Sequence, residues 1–428
     1  MERFGKQVIT SFMPEQHREF YQHLPFILLG HADIKGWPWA TVLVNDAGFI
    51  TSENNKKLTI NSKPITGEPF AELLQQHKNT RIRVGLLGIE LSTRRRNRLA
   101  GHITGVNKNA IEIEVDQAFG NCPQYIQMRE LIKVEGEQSK PTVTSITAFD
   151  EKTKTFIRNS DTFFVASHVK TDNENANINE GVDVSHRGGR PGFIRVDNDD
   201  TLTIPDYTGN FHFNTLGNFL LTPKAGLLFP DFETGDLLTL TGSVEILWDS
   251  EETTFFEGAE RLWQFKIDHG FWMKNALPLR WKLNQYSANT LMTGTWDEAN
   301  QSQQIEQERK TWQKHTITKI INESSVIKSF YLSPEKNLRP HFSAGQFITI
   351  KAVINDKEVI RTYTVSSSPH DSDYRISVKR ETSNDKNIPD GIFSSYLHDK
   401  ISVGDTLQIK AATGDFIYDN QSERPTVL

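Results

Sequence analysis

The chain has one cysteine in 428 residues, Cys122. No intrachain disulfide can form, which fits a reducing compartment and a cytoplasmic location. One thiol also cannot hold a four-cysteine iron–sulfur cluster. No apolar run approaches the ~20 residues of a membrane span. The N-terminal Met1-Glu-Arg-Phe-Gly-Lys leads into polar sequence without the apolar core of a signal peptide. Positive charge is not in excess. The 48 Lys and Arg stand against 54 Asp and Glu, a net charge of −6, so neither nucleic acid nor an anionic membrane is an expected partner. No Gly-x-Gly-x-x-Gly occurs. His31, His102, His168, His186 and His212 show no metal-ligand spacing, so no metal is expected.

What is present is a β-rich pattern with 36% hydrophobic residues, enough for packed cores in two to four domains. Residues 361–369 read Arg-Thr-Tyr-Thr-Val-Ser-Ser-Ser-Pro, and Gly391-Ile-Phe-Ser-Ser-Tyr-Leu-His follows. Arg361 offers a cationic fork for a pyrophosphate, and Tyr363 a flat ring for an isoalloxazine. Two apart on a strand, they share a face ~7 Å from each other. Gly391, Ser394 and Ser395 read as a helix start, where backbone N–H groups and the helix dipole favour phosphate. The bland alternative is an ordinary strand with a surface arginine.

The surrounding order decides between these readings. Pro340-His-Phe-Ser-Ala-Gly-Gln-Phe-Ile-Thr-Ile comes before the motif, and the alternating Tyr374-Arg-Ile-Ser-Val-Lys-Arg-Glu after it. Val403-Gly-Asp-Thr-Leu-Gln-Ile-Lys then turns into another strand. Residues 312–428 resemble the FAD-binding barrel of the ferredoxin–NADP reductase superfamily. The resemblance implies that Arg361 holds the FAD phosphates and that Tyr363 packs on the isoalloxazine. It places Thr364 near the flavin N5 as the catalytic position. Val378 and Lys379 would lie on a strand passing the flavin, with Gly391, Ser394 and Ser395 on the phosphate side. Tyr363 and Thr364 are neighbours, so both reach one flavin only if the strand ends or bends there. In this superfamily an NAD(P)-binding domain follows the barrel, and Arg424-Pro-Thr-Val-Leu428 reads as its first strand, as in a truncated chain.

The first 290 residues carry an internal repeat. Gly48-Phe-Ile recurs as Gly192-Phe-Ile and Leu58-Thr-Ile as Leu202-Thr-Ile. Gly85-Leu-Leu recurs as Gly226-Leu-Leu, and Gly101 matches Gly242. The order is kept, with one three-residue slip, which reads as two copies of a β unit. Apolar words such as Phe26-Ile-Leu-Leu and Phe163-Phe-Val-Ala open each copy. Helices are expected at Pro69-Phe-Ala-Glu-Leu-Leu-Gln-Gln-His, at Asn214-Thr-Leu-Gly-Asn-Phe-Leu-Leu and at Cys122-Pro-Gln-Tyr-Ile-Gln-Met-Arg-Glu-Leu-Ile.

The second copy contains Val184-Ser-His-Arg-Gly-Gly-Arg-Pro-Gly-Phe-Ile, Ile204-Pro-Asp-Tyr-Thr-Gly-Asn and Asn214-Thr-Leu-Gly-Asn. With Thr93-Arg-Arg-Arg-Asn-Arg, residues 20–270 resemble the pyridoxamine 5'-phosphate oxidase-like flavin-nucleotide-binding proteins, which are split β-barrels. That resemblance implies FMN first, with haem, deazaflavin or no cofactor as alternatives. Ser185 and Arg187 suit a phosphate, while Asn210 and Asn218 offer amides to a flavin edge. Asn210 after Gly209 also reads as a turn residue. Arg94, Arg96 and Arg98 would line one face of a strand, either as a solvated face or as a phosphate site. Cys122 is either a reactive thiol at a helix start or a small packed residue.

The expected fold is mainly β, a duplicated split β-barrel followed by a reductase-type FAD-binding barrel. The expected division is 1–150 and 151–295 for the repeats, a linker or exposed helix at 296–311, and the FAD barrel at 312–428. Residues 171–181 read as a solvated loop. The expected function is electron transfer from NAD(P)H through FAD to an unknown acceptor. A flavin-nucleotide-binding protein without turnover and a split-barrel oxidase of a small substrate are the alternatives.

Overall fold

The computed structural model describes residues 9–76, 81–107, 109–132, 134, 139–169, 181–209, 213–335, 342–383 and 389–417. Asn210, His212, most of the 171–181 segment and residues 424–428 lie outside this set. The chain divides into two compact units, residues 1–300 and 301–428.

The first unit holds two sheets with one plan. In the first repeat the strands are β1 (Phe26–Ala32), β2 (Pro38–Val44), β3 (Ile50–Asn54), β4 (Lys57–Ile60), β5 (Ile82–Glu90), β6 (Arg95–Val106) and β7 (Ile111–Gly120). Their spatial order is β2-β1-β5-β6-β7-β4-β3. Two short strands follow, β8 (Met128–Ile132) and β9 (Thr142–Ile146). The second repeat has β10 (Thr162–His168), β11 (Val182–Gly188), β12 (Arg195–Val196), β13 (Thr201–Tyr207), β14 (Lys224–Pro230), β15 (Leu237–Leu247) and β16 (Ala259–Lys274). Its order is β11-β10-β14-β15-β16-β13-β12, the same permutation, with β9 added against β16. The duplication read from short glycine words is therefore a duplication of topology.

The recurring glycines have physical causes. Gly48 and Gly192 both have left-handed backbone, φ +96° and +90°, a region that L side chains avoid. Gly101 and Gly242 sit at matching bulges of β6 on β7 and β15 on β16. A Cβ there would lie 2.3 Å from the Glu114 carbonyl oxygen and 2.0 Å from that of Lys266.

The opening apolar words are buried on both faces, which is why they run without alternation. On β1, Ile27 and Leu29 enter the first repeat's own core, while Phe26 and Leu28 enter a core shared between the repeats. On β10, Phe163 and Val165 face the second repeat's core, and Phe164 and Ala166 the shared one. Each such large side chain contributes about 1.5–3 kcal/mol on leaving water. The contact is reciprocal. Gly85 of β5 lies against the backbone of Val182 and Asp183, and Gly226 of β14 against that of Pro38 and Trp39. The two repeats thus pack as a pseudo-twofold pair within one chain.

The expected helices form at Pro69–Gln76 and Asn214–Leu221. The third does not. Tyr125 has φ +61°, which breaks a helix, and Met128–Ile132 is drawn out as β8 by pairing with β17 (Arg280–Gln285). Residues Trp296–Lys310 are helical, the second of the two readings for that polar segment.

The second unit is one six-stranded sheet of β18 (Gln313–Asn322), β19 (Ile327–Pro334), β20 (Phe347–Ile354), β21 (Lys357–Thr364), β22 (Tyr374–Lys379) and β23 (Thr406–Thr413). The order is β21-β20-β23-β18-β19-β22. Just beyond β21, the Ser366 N–H donates to the Arg375 carbonyl of β22 at 2.7 Å, tying the two edges together. Ile317, Phe330, Ile348, Ile350, Tyr374 and Ile376 fill the interior, closed by the helix Ile392–Asp399. The protein is mainly β, as its sequence pattern implies. Among the described residues no helix is long and apolar enough to cross a membrane.

Candidate functional sites in the two units

In the C-terminal unit, Arg361 and Tyr363 stand on β21, an edge strand paired on one side with β20. Arg361 is exposed, and its Nη1 donates to the Ile360 carbonyl at 2.7 Å. No carboxylate forms an ion pair with it among the described residues, so its charge is available to an anion. Tyr363 is half-buried and packs on Phe393 of the helix Ile392–Asp399, with ring centroids 6.0 Å apart. Burial pushes its phenol up to about 12. Thr364 ends the strand and is exposed, on the opposite side from Tyr363.

The helix start departs from expectation at two residues. Ser394 is buried, and its hydroxyl donates to the Gly391 carbonyl and accepts from the Glu381 N–H, both at 3.1 Å. It braces the turn and is not free for a phosphate. Gly391 has φ −62°, so left-handed freedom is not its role. A Cβ there would meet Glu381 Cβ at 2.7 Å, and its N–H is spent on the Glu381 carbonyl. Ser395 Oγ is buried without a protein partner among the described residues. Val378 points into the barrel core at 2% exposure, leaving only its backbone for the outer surface, whereas Lys379 is exposed. The unpaired Arg361 guanidinium, the Tyr363 ring and the first free amides of a helix fit a flavin dinucleotide.

The N-terminal unit holds a cleft between the repeats. Arg96 and Arg98 come from β6 of the first repeat, and Ser185, His186 and Arg187 from β11 of the second. Asp206, Arg261 and the first turn of the helix Asn214–Leu221 complete it. The sequence alone left a solvated face open for these arginines; the second repeat covers them instead. Arg94 is not on that face. It occupies the turn before β6 with φ +58°, and its Nε donates to the Ile126 carbonyl.

Charge and hydrogen bonds organise the cleft. Arg98 Nη1 lies 3.1 Å from Asp183 across the repeats. Thr215 Oγ1 lies 3.4 Å from Asp183 and 2.9 Å from Ser185 Oγ. Asp206 accepts from both Arg187 and Arg261. Among the described residues the Arg96 side chain has only the Cys122 carbonyl, at 2.7 Å from its Nε. Burial, with Arg98 and Arg187 nearby, brings its pKa down to about 9. Burial also holds the His186 imidazole well below its ordinary value, and the surrounding arginines push the same way.

Asn218 is not part of this cleft. One turn beyond Asn214 and Thr215, its amide donates to Ser167 Oγ at 3.0 Å and is spent there. Cys122 is half-buried in a loop, not at a helix start, and contributes its carbonyl to Arg96.

Residues 314–418 match the family described as the oxidoreductase FAD-binding domain. The C-terminal unit is therefore an FAD-binding domain of the ferredoxin-reductase type, a domain of oxidoreductase enzymes. The chain is similar to the flavohemoprotein of Oceanobacillus iheyensis, 47% identical over 115 residues, 26% of this chain and 28% of that one. It is similar to the flavohemoprotein of Bacillus subtilis, 41% identical over 137 residues, 31% of this chain and 32% of that one. Among solved structures, it matches the flavohem-like FAD/NAD binding domain of nitric oxide dioxygenase from Vibrio cholerae. That match is 34% identical, covers 26% of this chain and 48% of the other, and has a TM-score of 0.25. The chain spans less than a third of the length of these two flavohemoproteins.

Proposed function

We propose that the chain works as an FAD-dependent oxidoreductase that takes reducing equivalents from NAD(P)H and delivers them to an acceptor still to be identified. The observation that carries this reading is an edge strand with an uncompensated guanidinium and a half-buried phenol, inside a segment that matches an oxidoreductase FAD-binding family. Arg361 would pair with the pyrophosphate, a charge-assisted contact that fixes the dinucleotide's register. Tyr363, held by Phe393, would cover one ring face and exclude water there. Thr364, at the strand end, would direct its hydroxyl to the flavin N5 edge, and Lys379 would line the approach. The free amides that open the helix Ile392–Asp399, with Ser395, would face the phosphates. Bound FAD supplies the two-electron chemistry, and the protein orients it.

The cleft between the repeats, with Ser185 and Arg187, is the proposed seat of a second phosphate-bearing nucleotide, FMN in the first instance. A split-barrel fold for each repeat belongs to the same reading. What supports it is the concentration of arginine around one concave site.

The test is spectroscopic. The purified chain is expected to carry flavin absorbance that bleaches on anaerobic addition of NADH or NADPH, provided the donor site lies on the polypeptide used. Chromophore released by denaturation should contain FAD by mass. A chain that is colourless and does not take up added FAD would overturn the proposal.

A further inference from the structure

The pseudo-twofold relation allows the two inter-repeat clefts to be compared position by position. In both repeats the central strand pairs with its neighbours in matching register, Leu28 with Val42 and Leu87 as Phe164 pairs with His186 and Leu228. Thr41, Val42 and Leu43 are thus the counterparts of Ser185, His186 and Arg187. By the same register, Leu87 pairs with Arg98 as Leu228 pairs with Thr239, and Ile89 pairs with Arg96 as Pro230 pairs with Leu237. Leu237 and Thr239 are therefore the counterparts of Arg96 and Arg98.

The two places are chemically opposite. One presents Arg96, Arg98 and Arg187; the other presents Leu237, Thr239 and Leu43. Val42 and Leu237 line a small apolar pocket with Phe26, Phe232 and Trp281, the last two packed edge to face at 5.6 Å. That pocket has about 20 Å³ of free space, against about 110 Å³ in the arginine cleft. At Thr41, the counterpart of Ser185, the hydroxyl donates to buried Glu68 at 2.5 Å.

The arginine cleft, in contrast, holds buried polar atoms that have no protein partner among the described residues. His186 is 5% exposed with both ring nitrogens unpartnered. Nε of Arg98 and Nε of Arg187 are also buried and unpartnered. Each such group is destabilising if left unsatisfied. Asp183, Asp206 and Glu260 engage Arg98, Arg187 and Arg261, but among the described residues no carboxylate forms an ion pair with Arg96. The helix Asn214–Leu221 adds its first amides and positive dipole end.

We infer that the fused repeats form a one-site pseudo-dimer: the cleft of Arg96, Arg98, Ser185 and Arg187 takes one phosphate monoester per chain, and the pseudo-equivalent cleft is sealed by apolar side chains. This rests on the nucleotide reading of the cleft given above, and adds the stoichiometry and the sealed partner. Duplication in one chain lets the two clefts diverge, which a homodimer with identical subunits cannot do.

The experiment is calorimetric titration of the full, FAD-loaded chain with FMN and, separately, with inorganic phosphate. One FMN per chain is expected, with phosphate competing. Arg96→Gln is expected to weaken FMN at least tenfold and Arg96→Lys to restore part of it, with FAD content unchanged in both. The exposed Arg81→Gln variant should bind as the parent does. Two FMN per chain would overturn the single-site inference while leaving the nucleotide reading intact. No FMN and no phosphate binding would overturn both. FMN binding indifferent to Arg96→Gln, in a variant that melts like the parent, would place the ligand elsewhere and reject the assignment.

Discussion

Arg98 of the first repeat lies with Nη1 3.1 and 3.2 Å from the two carboxylate oxygens of Asp183 in the second. Both side chains are nearly enclosed, at 11% and 14% exposure. This pair joins the repeats beside the cleft and sets the Asp183–Thr215–Ser185 chain of hydrogen bonds. Removing one partner strands a buried charge, which costs about 3–5 kcal/mol. Arg98→Ala should therefore lower the unfolding free energy of the N-terminal unit by about 3 kcal/mol, read by urea denaturation. The double variant Arg98→Met, Asp183→Leu should recover most of that loss.

Arg361 behaves differently, because it is exposed and pairs with no carboxylate among the described residues. Arg361→Ala should leave the melting temperature of the apoprotein unchanged while sharply reducing bound FAD. Absorbance of the purified variant near the flavin band, with its far-ultraviolet dichroism as a folding control, checks this. Full flavin content in the variant would reject Arg361 as the pyrophosphate partner.

Two glycine-to-alanine changes should have opposite signs. At Gly101 the new methyl would be driven to 2.3 Å from the Glu114 carbonyl, a backbone atom that cannot step aside. A loss of more than about 2 kcal/mol is expected. At Gly217, inside the helix Asn214–Leu221, nothing lies within 4 Å of the added methyl. There the alanine should stabilise by about 0.5–1 kcal/mol through helix propensity and lost unfolded-state entropy. Thermal melts of the two variants measure both.

Glu68 gives a pH dependence with a definite sign. Burial raises its carboxyl from 4.5 to about 7, only partly offset by hydrogen bonds from Thr41 and the Ile65 N–H. The folded state therefore holds this proton at pH values where the unfolded chain has released it. Stability from this group is fully present below about 4.5 and declines as pH rises towards about 7. Relative to Glu68→Gln, the parent should lose ground between pH 5 and 7, and the gap should level off above pH 7. Comparing the two proteins cancels His31 and His168, whose pKa values lie at about 4. Parallel melting curves across that range would show that Glu68 titrates normally.

Some of this was determined by local sequence. The apolar words at 26–29 and 163–166 and the paired glycines announce a duplication, because double-sided burial and close backbone approach restrict which residues fit. The flavin motif is similarly local, since Arg361 and Tyr363 lie two apart on one strand and share a face whatever surrounds them. Tertiary structure decided the remainder. Residues 122–132 carry a helical pattern, yet pairing with Arg280–Gln285 makes a strand of their second half. Strand periodicity places Arg96 and Arg98 on one face but does not say what covers it; a β-strand from the other repeat, some ninety positions on, turns a seemingly solvated row into the wall of a cleft. Nor could composition distinguish Ser394, whose hydroxyl is consumed by Glu381 and Gly391, from the exposed Thr364. The side-chain period dictates which way a residue points, and only chain-distant packing dictates what it meets there.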